Sequence, residues 1–241
     1  IFHSMAHPIL SERKFSRPLD SASVMTVDGA VNKSMVLVAL TFAAAMFTYR
    51  EGTASLGFLI GTSILSFIIA LIASFNPAST PLTAPLYAVV EGLLLGAVSH
   101  QFSRFYQGIV LQSVMLTFGT LFGMLGLYSF GVLRMSRGLS RFLFVATTGI
   151  AITYFLTFIL GLFDVRVPFI HNSGPIGIAF SAFVLVVAAL NLISDFATIE
   201  FGASQGAPKY MEWYSAFGLL VTLVWLYLEF LRLLAKLREN D

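Results

Sequence analysis

Seven long apolar stretches occupy most of this 241-residue chain. A membrane-spanning helix needs about 20 mainly apolar residues, with a range near 17 to 25. Membrane β-strands contain only about 9 to 11 residues of alternating polarity, so a barrel does not fit the pattern. The sequence therefore predicts an all-α polytopic membrane protein with seven spans, the first of them the shortest. The stretches cover 35–49, 54–74, 81–102, 109–133, 142–163, 175–193 and 211–234.

The composition excludes several classes of protein. Hydrophobic residues make up 57% of the chain and charged residues 11%, whereas a soluble domain carries about 25% charged residues. The net charge is only +2, and the basic residues lie between apolar stretches without forming a patch for nucleic acid. The absence of cysteine excludes disulfides and thiolate metal sites.

The distribution of polar residues predicts three regions and an orientation. Residues 1–33 form a polar tail without a signal peptide's apolar core, residues 34–236 a seven-helix domain, and residues 237–241 a short polar end. Eight of the 14 Lys and Arg residues lie on the side of the N-terminus, which favours a cytoplasmic N-terminus. The basic C-terminal end opposes this, and a re-entrant seventh stretch or a count of six spans would explain it.

Glycines recur at a spacing of four residues in three of the predicted spans. Such small residues let two helix backbones approach closely. We expect them to serve packing within the bundle rather than a dimer interface. They are Gly57 and Gly61, Gly92 and Gly96, and Gly119 and Gly123.

Four acids lie within or at the ends of the predicted spans: Glu91, Asp195, Glu212 and Glu229. An ionisable residue at the bilayer centre costs about 2.5 to 3.5 kcal/mol on insertion scales. Such residues therefore often mark ion or proton pathways, and we take these four as candidates for proton or cation sensing.

Glu91 shares a helical face with Tyr87 and Thr83, because the three follow one another at intervals of four residues. We expect this face to point into the bundle. Two interpretations fit it equally. Glu91 is either a hydrogen-bonded structural carboxyl group or part of a cation or proton site.

Asp195 follows Asn191 by four residues at the predicted end of the sixth span. Their oxygens suit a hard cation such as calcium, which takes about 6 to 8 oxygen ligands. Glu91 and Asp195 are accordingly candidates for transient calcium ligands. Asp195 could instead share a proton with a second carboxylate or simply cap the following loop.

The last stretch carries a polar stripe, since Ser215, Thr222 and Glu229 recur every seven residues. A polar stripe is not tolerated against lipid, so this span should lie inside the bundle. Arg232 follows Glu229 by three residues, which allows an ion pair on one helix. Glu229 is therefore either the partner of Arg232 or a group that faces another carboxylate.

Signatures of enzymes do not occur. The four histidines make no metal-binding spacing, and there is no nucleophile elbow or phosphate-binding loop. We expect a protein without enzymatic activity and without a cofactor, apart from calcium as a transported or bound ion.

Long segments of the chain resemble the Bax inhibitor family, the transmembrane Bax inhibitor motif proteins, and in particular its bacterial YccA-type branch. The segments are SDFATIEFGASQGAPKYMEWYSAFGLLVTLVWLYLEFLRLL, TAPLYAVVEGLLLGAVS, MTVDGAVNKS and HPIL. The resemblance implies a bacterial inner-membrane protein in which six spans surround a central seventh. It also implies a pH-sensitive calcium leak channel gated by two aspartates that share a proton. A link to a membrane-bound ATP-dependent protease is implied as well.

Only one of the two family aspartates carries over to this chain. Asp195 matches the first, whereas the second falls on Thr222. We therefore expect Glu91, Glu212 or Glu229 to take its place as the partner of Asp195. The main alternative is a non-conducting protein that modulates the protease through its helices and its basic tail at residues 13–17.

Overall fold

A computed structural model describes residues 24–52, 55–162 and 174–239. These residues contain seven helices, each long and apolar enough to cross a membrane, and no strand. The prediction of an all-α polytopic membrane protein is confirmed. The helices are α1 (Val27–Glu51), α2 (Leu56–Phe75), α3 (Thr80–Phe105), α4 (Ile109–Ser129), α5 (Arg137–Leu162), α6 (Pro175–Ser204) and α7 (Met211–Arg238).

The first helix begins at Val27, earlier than the apolar stretch that starts at residue 35. The hydroxyl of Thr26 accepts a hydrogen bond from the backbone N–H of Gly29 at 3.0 Å. Asp28 lies in the first turn, where a negative charge complements the positive end of the helix dipole. Residues 27–33 therefore belong to the helical bundle and not to the polar tail.

The sixth helix extends to Ser204, well beyond the predicted end of its span at residue 193. The polar segment that follows residue 193 is helical, so Asp195 and Glu200 lie within α6. An aspartate nine residues before a helix end cannot cap the loop that follows. The loop-cap interpretation of Asp195 is thereby excluded.

The seventh helix is the centre of the bundle. In its most apolar 18-residue segment, 61% of the residues are buried, compared with 50% or less in the corresponding segment of every other described span. It packs against α1, α3, α4 and α6, while α2 packs mainly on α3 and α5 on α6. Its length of 28 residues makes it a full span and not a re-entrant segment.

Only one of the three predicted glycine pairs marks a helix contact. A Cβ atom on Gly92 would lie 2.8 Å from the Cβ of Ala44, and one on Gly96 would collide with the α1 backbone at Ala45. The hydroxyl of Thr48 on α1 donates a hydrogen bond to the carbonyl of Leu93 at 2.9 Å. A Cβ atom added to any of the remaining four glycines would have no neighbouring atom within 4 Å. They are Gly57, Gly61, Gly119 and Gly123.

Candidate functional site

Asp195 on α6 faces Thr222 on the central helix. The hydroxyl of Thr222 lies against the Asp195 carboxyl group and also donates a hydrogen bond to the carbonyl of Gly218 at 3.3 Å. The Oδ2 atom of Asp195 is inaccessible to solvent and has no hydrogen-bond partner among the described residues. A buried, incompletely hydrogen-bonded acid is costly to keep, particularly as a charge.

The surroundings of this contact are apolar. Phe196 on α6 follows Asp195 directly, and it forms one buried cluster with Leu219 and Leu223 of α7. These two leucines lie on either side of Thr222 in sequence. The Asp195 carboxyl group is therefore placed next to an apolar helix interface, where a charge is less well solvated than in water.

Asn191 does not join Asp195 in a ligand set. Its side-chain amide donates hydrogen bonds to the Thr147 hydroxyl on α5 at 3.0 Å and to the carbonyl of Val187 at 2.9 Å. Within the described part of the chain, no three His, Cys, Asp or Glu side chains come together to hold a metal ion. The structure thus shows no assembled calcium site around Asp195 and Asn191.

Glu91 lies on α3 and is 6% exposed. Its carboxylate accepts a hydrogen bond from the Ser66 hydroxyl of α2. Tyr87, one turn earlier, packs its ring edge-on against Phe217 of α7, with ring centroids 5.1 Å apart. Tyr87 therefore faces the centre as predicted, whereas Glu91 is engaged with the peripheral helix α2.

Glu212 holds the start of α1 against the start of α7. Its carboxylate is fully buried and accepts hydrogen bonds from the backbone N–H and the hydroxyl of Thr26 at 2.9 and 3.0 Å. It also forms ion pairs with Lys33 and with Lys209, the latter at 2.9 Å. The Lys33 ammonium lies 5.5 Å from the centre of the Trp213 ring. This arrangement has the character of a structural anchor.

Glu229 is fully buried near the opposite end of α7. Its Oε2 atom accepts hydrogen bonds from Arg232 at 2.6 Å and from the Tyr154 hydroxyl of α5 at 3.0 Å. The guanidinium of Arg232 lies 4.8 Å from the Tyr154 ring centre. The predicted pairing of Glu229 with Arg232 is confirmed, while Oε1 of Glu229 has no hydrogen-bond partner within the described residues.

Two turns beyond Glu229 along α7, Lys236 connects the central helix to the start of α6. Its ammonium group donates hydrogen bonds to the carbonyl of Gly177 at 3.1 Å and to the hydroxyl of Ser181 at 2.9 Å. Lys236 is 5% exposed. Together with the Glu229 cluster it fixes α7 to α5 and α6 at this end.

A family model described as Bax inhibitor 1 like matches residues 7–239. The chain belongs to the Bax inhibitor 1 like family. No curated protein matches the chain.

In this Bax inhibitor 1 like protein, the three glutamates are engaged away from Asp195. Glu91 contacts α2, Glu212 contacts the start of α1, and Glu229 contacts α5. The side chain that faces Asp195 is Thr222, the position where the resemblance places the second family aspartate. The structure thus gives Asp195 a hydroxyl partner where the sequence predicted a glutamate.

Several residues around these acids were missed by sequence reasoning. Lys209 precedes Glu212 by three residues, which is a local signal for an ion pair. Thr26 and Lys33 precede Glu212 by more than 170 residues, and Tyr154 precedes Glu229 by 75. No local pattern indicates such partners, because they are brought together only by the packing of the helices.

Proposed function

We propose that this protein is a pH-responsive leak pathway for cations, calcium among them, that follows the central helix and is gated by the charge of Asp195. One observation carries the proposal. An oxygen of Asp195 is buried without a hydrogen-bond partner in the described structure, next to Thr222 of α7. A neutral acid suits this buried contact, whereas an unpaired buried charge costs several kcal/mol.

The neutral side chain opposite Asp195 changes how such a gate works. Two facing carboxylates separate because like charges repel each other. Thr222 supplies no charge, so the opening force here is the hydration of a single ionised carboxylate. Alkaline conditions ionise Asp195, draw water or a cation between α6 and α7, and raise the flux. Acidic conditions neutralise Asp195 and keep the interface closed.

Calcium is a transported ion in this scheme and not a resident one. Calcium takes about 6 to 8 oxygen ligands, and the carboxylate of Asp195 with the hydroxyl of Thr222 supplies only a few. Most of the remaining ligands must then be water. Such a hydrated contact is weak, which suits passage better than storage.

Calcium uptake into liposomes that hold the purified protein tests the proposal. We expect a larger flux at about pH 8 than at about pH 6, since the higher pH favours the ionised carboxylate. Asp195→Asn, which cannot ionise, should remove this pH dependence. Glu51→Gln, at the exposed end of α1, is the matched control and should retain it. A flux independent of pH, or unchanged by Asp195→Asn, contradicts the proposal.

A second function is proposed on a different observation. The start of α1 is fixed to α7 through Glu212 and Thr26. The basic tail that precedes it in sequence, residues 1–23, lies outside the described residues. A fixed helix start that follows a basic tail suits a non-conducting protein of the YccA type that modulates a membrane-bound ATP-dependent protease. Deletion of residues 1–22 should then alter protease turnover and leave calcium flux unchanged, and the reverse result discards this function.

We further propose a bacterial inner-membrane location with a cytoplasmic N-terminus. Because the chain has no cysteine, single introduced cysteines report on the two sides of the membrane. Gln205 lies at the same end of the bundle as the start of α1, and Gln107 lies at the opposite end; both residues are exposed. Each is replaced by cysteine in a separate variant. An impermeant thiol reagent added outside the inner membrane should label Gln107→Cys alone. Labelling of Gln205→Cys alone reverses the orientation.

A further inference from the structure

A groove lies between α1 and α4, with the central helix α7 as part of its floor. It consists of two cavities of about 500 and about 960 Å³. Four residues line both cavities, which are therefore adjacent along the bundle. They are Val38 and Phe42 of α1, Phe118 of α4 and Leu223 of α7.

The walls of the groove are apolar and reach the surface that faces lipid. Met35, Phe42 and Phe122 line the groove and remain 58%, 56% and 65% exposed. Its two cavities fall within the roughly 300 to 1,000 Å³ typical of sites for small ligands. An apolar groove that is open to the lipid-facing surface matches the polarity of a lipid acyl chain.

One end of the groove carries two opposite charges. Arg134, in the connection from α4 to α5, and Glu200, near the end of α6, both line the larger cavity. The Tyr128 hydroxyl donates a hydrogen bond to Glu200 and so fixes the position of this carboxylate. The lining of the smaller cavity, at the opposite end, contains no charged side chain. A lipid in the groove would therefore place its headgroup at Arg134 and Glu200.

The two charges select among headgroups. The Arg134 guanidinium suits a phosphate, to which arginine binds in a bidentate manner. Glu200 would repel a second negative charge but accepts hydrogen bonds from a primary ammonium group. A quaternary ammonium has no N–H to donate. The complementary headgroup thus has a phosphate and a primary amine, as in phosphoethanolamine.

We propose that the groove between α1 and α4 binds a phospholipid with a phosphoethanolamine headgroup, whose phosphate contacts Arg134 and whose ammonium contacts Glu200. One acyl chain lies along the groove past Phe42 and Phe118. Neither Asp195 nor Thr222 lines this groove, although Phe196, Leu219 and Leu223 of the neighbouring cluster do. Binding of the lipid does not depend on whether the protein conducts ions.

Lipid binding to delipidated full-length protein in detergent, followed by native mass spectrometry, tests the site. The probes are phosphatidylethanolamine, phosphatidylcholine and phosphatidylglycerol with identical acyl chains. The wild-type protein should bind phosphatidylethanolamine tightest. Arg134→Gln should weaken that binding about tenfold, as expected for one lost charge-assisted contact. Glu200→Gln should abolish the preference for phosphatidylethanolamine over phosphatidylglycerol.

Two further variants separate the headgroup contacts from the groove itself. Arg141→Gln changes an exposed arginine of α5 that does not line the groove, and it should bind all three lipids as the wild type does. Ala39→Trp fills the groove from an exposed position on α1 and should weaken all three. Tighter binding of phosphatidylglycerol by the wild type overturns the headgroup assignment. Unchanged binding in both Arg134→Gln and Ala39→Trp overturns the site.

Discussion

Asp195 on α6 meets Thr222 on α7, and the Oδ2 atom of Asp195 is buried without a hydrogen-bond partner in the described structure. The two residues occupy the positions at which the family resemblance expects a pair of aspartates. The Thr222 hydroxyl carries no charge, so it cannot repel an ionised carboxylate. In the gate proposed above, the closed contact therefore holds neutral Asp195 and opens when that single group ionises.

Thr222→Asp should create the facing pair of carboxylates that the wild-type protein lacks. At acidic pH the pair can share a proton, and at alkaline pH both groups carry charge and repel each other. We expect a steeper rise of calcium flux with pH than in the wild-type protein, measured in the same liposomes. Asparagine has nearly the same shape as aspartate but carries no charge, so Thr222→Asn should not steepen the response of flux to pH. Equal responses of the two variants contradict the assignment of Thr222 as the gate partner.

Glu212→Gln should loosen the start of α1. The substitution keeps an oxygen for Thr26 but removes the charge that binds Lys33 and Lys209. We expect a loss of about 1 to 3 kcal/mol in the free energy of unfolding, toward the lower end because both lysines partly reach solvent. Unfolding in detergent measures the loss, and limited proteolysis near residue 26 should become faster. Glu51→Gln, at the far end of α1, is the control, and equal effects of the two variants exclude an anchor at Glu212.

The fold was predictable from sequence to a larger extent than the contacts. Seven spans and a buried polar stripe follow from hydropathy, because lipid excludes unpaired polar groups from most positions. Arg232 was predicted as a partner of Glu229, but Thr26 as a partner of Glu212 and Tyr154 as a partner of Glu229 were not, because both are distant in the chain. Two of the three glycine pairs do not mark the helix contact that their spacing predicted. A spacing of four residues permits a close contact but does not specify which helix lies opposite.

Gly96→Ala should destabilise the packing of α3 on α1. The new Cβ atom would lie 2.8 Å from the backbone carbon of Ala45 and would also meet the Thr48 hydroxyl. Such overpacking costs about 1 to 3 kcal/mol. Gly61→Ala is the matched control, because a Cβ atom there meets nothing within 4 Å. Unfolding in detergent compares the two, and a control as unstable as Gly96→Ala would show that the loss does not arise from the α1 contact.

Glu229 and Arg232 should be energetically coupled. Among the described residues, Arg232→Gln leaves the buried Glu229 with the Tyr154 hydroxyl as its remaining hydrogen-bond donor. The double variant with Glu229→Gln removes the uncompensated charge as well. We therefore expect the double variant to be more stable than Arg232→Gln alone. The coupling energy should be about 0.5 to 3 kcal/mol. It should fall toward the lower end because the Arg232 side chain is 39% exposed. A double-mutant cycle on unfolding in detergent measures this coupling, and strictly additive losses would mean that the ion pair contributes nothing to stability.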